Sequence, residues 1–343
     1  MEKYMYKEIK EGVEVLEKIE ERKDKIKNIV EEIREYNPQN IILVARGTSD
    51  NASIWGRYYI ESYIKIPVSL CAPSLYTIYH TPPILKNSLV IAISQSGESE
   101  DICEVIKEAN KQKAFTLGIT NNSESKLAKI SKRLILLNAG EEKSVAATKT
   151  YLAELGVLYL LVNLWINRDY LKEFKDLISS LKEILKREEE IREKTIPYKF
   201  MEHCAILGRG YNLATALEMA LKLKETSYIL AEPYSSADFL HGPLALVSHG
   251  FPVFLFAPKG ESISHSKEVI KILEEKNVDL FIFSNEESLF NIYKGFFIKS
   301  NIPEEISPLL FILPAQFFSY FLTTLKNLDP DQPRFLKKIT ITK

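Results

Sequence analysis

The fold is decided by the stretch Ser88–Ser99, SLVIAISQSGES, in which a continuous apolar run passes directly into a polar loop. A short apolar run that ends in turn-forming residues is typical of a strand buried on both faces. Four hydroxyl or amide side chains then surround one glycine, Gly97, before a helical pattern begins at Asp101. We therefore predict a buried strand, a polar loop and a helix.

Similar apolar runs lie on either side of this stretch and alternate with helical patterns. We predict strands at residues 41–45, 68–71, 89–93, 114–119 and 134–137, and helices at 51–63, 101–112 and 126–131. A helical pattern also covers residues 3–36, and longer helices are predicted at 148–166 and 169–194. Strands that alternate with helices form a mainly parallel sheet covered on both faces, so the predicted fold is α/β, doubly wound and flavodoxin-like.

The pattern begins again in the second half of the chain at a constant offset. Gly47 of ARGTS corresponds to Gly210 of LGRGY, and Gly97 of SQSGES corresponds to Gly260 of APKGES, in each case 163 residues later. Two matched landmarks at one offset predict a duplicated α/β unit. We predict a helical lead at residues 1–37, a first domain at 38–190 and a second domain at 196–343.

Composition argues against several classes of function. The 45 Lys and Arg nearly balance the 46 Asp and Glu, so no nucleic-acid partner is predicted. Neither an uncharged apolar run of about 18 residues nor a signal-peptide core is expected, so no membrane partner is predicted. Three scattered cysteines without a CxxC pair indicate reduced thiols in a cytoplasmic protein. The five histidines lack HxxxH spacing, and neither a metal nor another cofactor is predicted.

The polar loop has two interpretations. Ser94, Gln95, Ser96 and Ser99 lie where a strand ends and a helix begins, which is where open α/β sheets bind anionic ligands. The second copy keeps only one of these four donors. The alternative is a serine-rich helix cap, in which the same hydroxyls accept from free backbone N–H groups. Spacing alone leaves both open, and it matches neither a G-x-S-x-G nucleophile nor a P-loop.

A second hydroxyl-rich segment, ARGTS, ends the preceding predicted strand and carries Thr48 and Ser49. The two strand ends are expected to converge on one phosphate, with capping of the next helix as the alternative.

The second half of the chain holds charged groups on an apolar helix. Between Leu213 and Leu230 the helical pattern places Glu218, Lys222 and Glu225 on one face. An exposed salt-bridged stripe is the plain interpretation, and burial with pairing or catalysis is the alternative, because the neighbouring positions are apolar. His241 follows within LHGPL, where a structural histidine is more usual than a catalytic one.

Six ordered motifs, RGTS, SQSGES, VAATK, LGRG, ALKLKETSYILAE and HGPLAL, resemble the double sugar-isomerase (SIS) family. The chain is most similar to the isomerase half of glutamine-dependent glucosamine-6-phosphate synthase and to stand-alone isomerising glucosamine-6-phosphate deaminases. The resemblance runs from YMYKEI to the C-terminal DPDQPRFLKKITITK and implies two tandem SIS domains, the first of which binds phosphate.

The resemblance also implies roles for individual residues. The sugar phosphate is bound by Thr48, Ser49, Ser94, Gln95, Ser96 and Ser99. Glu225 moves a proton between C1 and C2 of the sugar, and Lys222 supports it. His241 assists ring opening in the active site of the neighbouring subunit of a homodimer. Lys338, in the C-terminal catalytic tail, forms a Schiff base with the open-chain ketose.

Some positions depart from the family pattern. Val145 and Ala147 of VAATK are implied substrate contacts, but the synthase has serine at the position of Ala147, and residues 238–240 read DFL in place of Glu-Leu-Lys. The glutaminase domain of the synthase has no counterpart here, so we expect an enzyme that converts glucosamine 6-phosphate to fructose 6-phosphate and ammonia. The alternatives are a deglycase or isomerase for a fructosamine or galactosamine phosphate, and a non-catalytic sugar-phosphate sensor.

Overall fold

A computed structural model describes residues 3–290 and 292–338. Its residues divide into two compact units. The first unit comprises residues 14–143, 147–170 and 336–338, and the second comprises 3–13, 144–146 and 171–335. The domain limits given from the sequence stay predictions.

The N-terminal helical pattern forms two helices, α1 (Tyr4–Glu17) and α2 (Lys23–Tyr36), with a 3-10 turn between them at Lys18–Arg22. Helix α2 ends because Asn37 adopts a left-handed conformation, with φ of 51°, and its N–H donates to the Ile33 carbonyl at 3.0 Å. A left-handed residue of this kind closes a helix by satisfying its last carbonyls, and the following Pro38 cannot continue it.

The first unit is built on five parallel strands in the order β2-β1-β3-β4-β5. They are β1 (Asn40–Val44), β2 (Val68–Leu70), β3 (Ser88–Ile93), β4 (Phe115–Thr120) and β5 (Arg133–Leu136). Every residue of β3 and β4 is buried, as expected for strands covered on both faces. The five predicted strands are confirmed, with ends that differ by one residue.

Helices connect these strands or, in the case of the last helix, follow them, as the alternating pattern predicts. They are α3 (Thr48–Ile64), α4 (Ser74–Thr77), α5 (Glu100–Lys111), α6 (Lys126–Ile130) and α7 (Lys149–Trp165). Helix α5 packs Ile102, Val105 and Ile106 into the same apolar cluster as Val90 and Ala92 of β3. Such apolar packing, rather than helix propensity, supplies most of the stability of a short helix. The short α4 was not predicted.

The second unit repeats the topology of the first. Its strands are β6 (His203–Gly208), β7 (Leu230–Ser235), β8 (Pro252–Phe256), β9 (Asp279–Ser284) and β10 (Gly295–Phe297), in the order β10-β9-β8-β6-β7. Its helices are α8 (Leu171–Leu185), α9 (Glu188–Thr195), α10 (Leu213–Ser227), α11 (Ser236–Leu240), α12 (Ile263–Glu275) and α13 (Ser307–Leu325). Strand β6 begins 163 residues after β1 (203 − 40), and α12 begins 163 after α5 (263 − 100). The predicted duplication is confirmed.

The single helix predicted at residues 169–194 is wrong, because the chain turns between α8 and α9 without a proline or glycine. The turn is held by Arg187. Its Nη1 donates to the Phe297 carbonyl at 2.7 Å, and its guanidinium lies 4.4 Å from the centre of the Phe296 ring. A tertiary contact of this kind overrides the local helical pattern.

The expectation that the sequence holds no uncharged run of membrane-spanning length is also wrong. Residues 306–325 carry no charge. The segment Glu304–Leu325 is long and apolar enough to cross a membrane, but 94% of its apolar window is buried inside the protein. A core helix meets the same criteria of length and composition, and the burial of α13 identifies it as one.

Candidate functional site

The topology of the first unit places the two hydroxyl-rich segments side by side. Strands β1 and β3 are neighbours in the sheet, and the chain leaves them toward opposite edges, to β2 and to β4. A crevice at the carboxyl ends of two such strands is where open α/β sheets bind ligands. Thr48 and Ser49 follow β1 and residues 94–99 follow β3, so both segments border this crevice.

The serine loop is shaped by its own side chains. Ser94 Oγ accepts from the Gly97 N–H at 3.1 Å, and Ser96 Oγ accepts from the Glu98 N–H at 3.3 Å. The Gln95 carbonyl accepts from the Asn121 N–H at 3.0 Å, which ties the loop to the end of β4. Within the described residues the Ser99 side chain caps no amide of α5. The helix-cap interpretation therefore does not account for Ser99.

Gly97 is required by the close packing of this loop. Its φ is +67°, and a Cβ at this position would lie 2.2 Å from Ser125 Oγ and 2.9 Å from Thr120 Oγ1. Both the backbone conformation and the missing side chain are properties that glycine alone combines. The loop can approach β4 and α6 only with glycine here.

The ARGTS segment begins α3 at Thr48, after Gly47 with φ of +58°. Arg46 Nε donates to Asp101 Oδ2 at 2.6 Å, and Asp101 is buried, so this ion pair connects the end of β1 to the first turn of α5. Burial raises the pKa of the nearby Asp50 carboxyl, and Arg46 offsets only part of that rise.

The two hydroxyls of this segment are placed differently. Thr48 is half-buried at the start of α3, whereas Ser49 is buried and its hydroxyl donates to Glu154 Oε1 of α7 at 2.7 Å. Sequence reasoning missed Glu154, which lies 105 residues away in the chain. The phosphate-binding role of Ser49 stays a prediction.

The C-terminal tail of the first unit brings Lys338 to the same edge of the sheet. Lys338 Nζ lies 2.7 Å from Oε2 of Glu142, a buried carboxylate in the segment between β5 and α7. Burial alone would raise the pKa of Glu142, but Lys338 and the hydroxyl and N–H donors of two threonines bring it below its ordinary value. Sequence reasoning missed Glu142, because no local pattern links residues 196 positions apart.

The charged groups of α10 in the second unit form a buried network. Lys222 Nζ lies 2.6 Å from Glu225 Oε2 and 3.4 Å from Glu218 Oε1. The side chains of Lys222 and Glu218 are 1% and 0% exposed, whereas Glu225 is 23% exposed. The interpretation as an exposed stripe is therefore wrong. Of the two carboxylates, Glu225 is the one that a ligand can reach.

The remaining predicted residues lie on irregular segments. His241 follows α11 with an exposed side chain, and its backbone N–H donates to the Asp238 carbonyl at 3.0 Å. Val145 and Ala147 are half-buried between β5 and α7. Their predicted roles as the ring-opening group and as substrate contacts stay predictions.

The corresponding turn of the second unit is already filled by a carboxylate. Glu304 Oε2 accepts from the Ser262 N–H at 3.0 Å. A Cβ on Gly260, the counterpart of Gly97, would lie 2.4 Å from the same oxygen. Glu304 thus fills the space beside Gly260 with a carboxylate of the protein itself.

A cavity of about 470 Å³ lies beside the first turns of α5 in the first unit. It is lined by Tyr76, Thr77, His80, Glu100, Cys103, Glu104, Lys107 and Lys126. None of these is a predicted site residue, so the cavity lies next to the serine loop without including it. Burial raises the pKa of the Cys103 thiol to about 11, so this thiol stays protonated at neutral pH.

Together these features define a duplicated, doubly wound α/β protein with hydroxyl-rich loops at the switch point of its first sheet. The chain belongs to the SIS domain family, which matches residues 36–164 and 201–325. The family resemblance inferred from the motifs is confirmed.

Relatives of the chain are enzymes of amino-sugar phosphate metabolism. It is 35% identical to the glutamine–fructose-6-phosphate aminotransferase (isomerizing) of Thermotoga maritima, over 98% of this chain and 58% of that protein. The chain thus spans little more than half of that relative. The C-terminal domain of glucosamine-fructose-6-phosphate aminotransferase from Francisella tularensis superposes with a TM-score of 0.87 at 29% identity, over 97% and 99% of the two chains.

A second solved structure is similar along its whole length. Glucosamine-6-phosphate deaminase from Thermotoga maritima superposes with a TM-score of 0.77 at 25% identity, over 96% of this chain and 99% of that one.

Proposed function

We propose that this chain is an isomerising deaminase that converts glucosamine 6-phosphate and water to fructose 6-phosphate and ammonia. The observation that carries the proposal is the position of Lys338. Its amine is held at the carboxyl edge of the first sheet, the edge that also bears the serine loop. A protein that only sensed a phosphosugar would need the loop but not the amine. The similarity to the full length of a glucosamine-6-phosphate deaminase supports the same activity.

The proposed reaction begins at the phosphate. Ser96 and Ser99, with the N–H groups of the first turn of α5, bind the phosphate dianion, because a helix N-terminus offers donors and a favourable dipole. No metal is needed for this step, since hydroxyl and amide donors satisfy the phosphate oxygens. His241 assists ring opening, which exposes the C1 aldehyde.

Glu225 then performs the isomerisation. Its carboxylate takes the proton from C2 and returns it to C1, while one proton passes from the C2 amine to the C1 oxygen, which converts the amino aldehyde to a C2 imine with a C1 hydroxyl. The buried Lys222 fixes the orientation of this carboxylate through an ion pair of 2.6 Å.

Lys338 completes the reaction. Its ammonium passes a proton to the C2 imine nitrogen, the resulting amine adds to C2, and ammonia leaves, which gives a protonated Schiff base between Lys338 and the ketose. Water adds to this Schiff base and releases fructose 6-phosphate and the free lysine. The net change is the consumption of one glucosamine 6-phosphate and one water.

Ammonia release from a panel of amino-sugar phosphates and free amino sugars tests this function. We expect turnover with glucosamine 6-phosphate, none with glucosamine, and no amination of fructose 6-phosphate by glutamine. Glu225→Gln should lower kcat by about 100-fold or more while phosphosugar binding persists. The matched control is Glu232→Gln, which changes an exposed carboxylate paired with Lys224. Binding without ammonia release from any substrate would refute the proposal and support a sensor.

Two further features belong to the same proposal. The exposed His241 is suited to serve the active site of a second copy in a homodimer, and sedimentation of the purified protein tests for that dimer. A cytoplasmic location belongs to the same proposal, since three scattered cysteines without a CxxC pair are typical of reduced thiols.

A further inference from the structure

Glu142 is a buried acid at the carboxyl edge of the first sheet, outside every motif used above. Its Oε1 accepts from the N–H groups of Thr148 at 2.9 Å and Thr150 at 3.2 Å. Its Oε2 accepts from Thr150 Oγ1 at 2.8 Å and from Lys338 Nζ at 2.7 Å. The two N–H groups belong to the start of α7, so the carboxylate caps this helix with one oxygen and binds Lys338 with the other.

The segment that carries Glu142 is fixed to the serine loop. Asn121 Nδ2 donates to the Gly140 carbonyl at 2.7 Å, and Asn121 Oδ1 accepts from the Ala139 N–H at 2.8 Å. The backbone N–H of the same asparagine donates to the Gln95 carbonyl at 3.0 Å. One residue at the end of β4 therefore sets the position of Glu142 relative to the loop.

Lys338 is the long, flexible partner in this pair. It lies at the end of the described chain, and its side chain is 25% exposed, whereas that of Glu142 is 0% exposed. A lysine side chain on a tail loses much rotamer freedom when its amine is held in one place. A buried carboxylate with four donors is rigid, and an ammonium that binds it takes up its position.

We propose that Glu142 is the positioning residue of Lys338, holding its Nζ at the carboxyl edge of the first sheet until a phosphosugar arrives. The proposal rests on the proposed function, since Lys338 is its nucleophile. Glu142 itself does not touch substrate. It acts by keeping the Lys338 amine close to C2 of the bound sugar. The attack on C2 then does not have to wait for a mobile tail to find the sugar.

Kinetics of Glu142→Gln test the effect on catalysis. The amide keeps the shape and the oxygen that accepts from α7 but loses the charge that holds Lys338. We expect kcat to fall by about tenfold or more with KM within about twofold, because the loss falls on the chemical step. Trapping of fructose 6-phosphate on Lys338 with borohydride should slow by a similar factor, and Glu142→Asp should restore part of both rates. Glu141→Gln, an exposed neighbour paired with Lys143, is the matched control and should match the wild type.

Chemical labelling of the lysines tests the ion pair between Glu142 and Lys338, called the tether below, independently of activity. In the wild type, Lys338 should be acetylated more slowly than the exposed Lys337, and Glu142→Gln should raise the rate at Lys338 by about fivefold or more without changing Lys337. Thr150→Val, which removes one donor to Oε2, should give a smaller rise and serves if Glu142→Gln does not fold.

The two measurements separate the two proposals. Slow labelling of Lys338 in a protein that turns over no phosphosugar refutes the deaminase function but keeps the tether. Wild-type kcat and trapping in a folded Glu142→Gln enzyme refute the positioning role but keep the deaminase function. Equal labelling of Lys337 and Lys338 in the wild type overturns the tether whatever the activity.

Discussion

Replacing Lys222 with methionine should destabilise the second unit far more than the same change at Lys224, two residues along α10. Lys222 Nζ lies 3.4 Å from Glu218, and Lys224 Nζ lies 3.4 Å from Glu232. The two distances are equal, but Lys222 also pairs with Glu225 at 2.6 Å, and the two lysines differ in burial. Lys222 and Glu218 are 1% and 0% exposed, whereas Lys224 and Glu232 are each 41% exposed.

The expected magnitudes follow from this difference in burial. Removing one partner of a buried pair costs about 3–5 kcal/mol, whereas an exposed pair contributes about 0–1 kcal/mol. For a folding unit of roughly 150–250 residues, each 1 kcal/mol lowers Tm by about 2–4 °C. We therefore expect Lys222→Met to lower Tm by roughly 6–20 °C and Lys224→Met by less than about 4 °C.

Thermal unfolding followed by far-UV circular dichroism measures both variants. Tryptophan fluorescence is the wrong probe, because Trp55 and Trp165 both belong to the first unit. The double variant Glu218→Gln/Lys222→Met should recover at least about half of the lost stability, since the buried carboxylate is then neutral. If Lys222→Met and Lys224→Met melt within about 2 °C of each other, the buried network does not stabilise α10.

Three other predictions concern the candidate site. Gly97→Ala should lower the urea midpoint more than Gly47→Ala: both residues have positive φ, which costs roughly 1–2 kcal/mol, but only at Gly97 does a Cβ meet Ser125, at 2.2 Å. The lowered pKa of Glu142 stabilises the fold above its ordinary pKa of 4.5, so the difference in unfolding free energy between wild type and Glu142→Gln should shrink as pH falls below 4.5 in urea titrations. Glu225→Gln should retain phosphosugar binding in calorimetry despite its loss of turnover.

The architecture follows from local patterns, and the sequence therefore predicts it well. A short apolar run such as Leu89–Ile93 predicts a buried strand. The glycines that follow such strands indicate where the next helices begin. The repeat with an offset of 163 residues predicts that both halves share one strand order. These features depend on spacing along the chain, which the sequence displays directly.

The polar contacts of the candidate site depend on residues that are far apart in the chain. The partner of Ser49 is Glu154, and the partner of Lys338 is Glu142, and neither pair has a local signature. Patterning indicates that a glutamate on a nearly all-apolar helix is buried, but it does not indicate which hydroxyl or amine it meets. The partners of these residues could therefore be identified only from the fold, whereas the roles of the residues stay predictions.

The two switch points of this duplicated fold differ in the groups that surround their glycines. At the second switch point, Glu304 accepts from the Ser262 N–H and lies where a Cβ on Gly260 would lie. This internal carboxylate binds a backbone donor of the turn, whereas the buried Ser262 hydroxyl has no hydrogen-bond partner within the described residues. At the first switch point, the Ser99 side chain caps no amide within the described residues. We therefore expect a phosphate at the first switch point, where the Ser99 hydroxyl lies beside the first N–H groups of α5 and does not cap them.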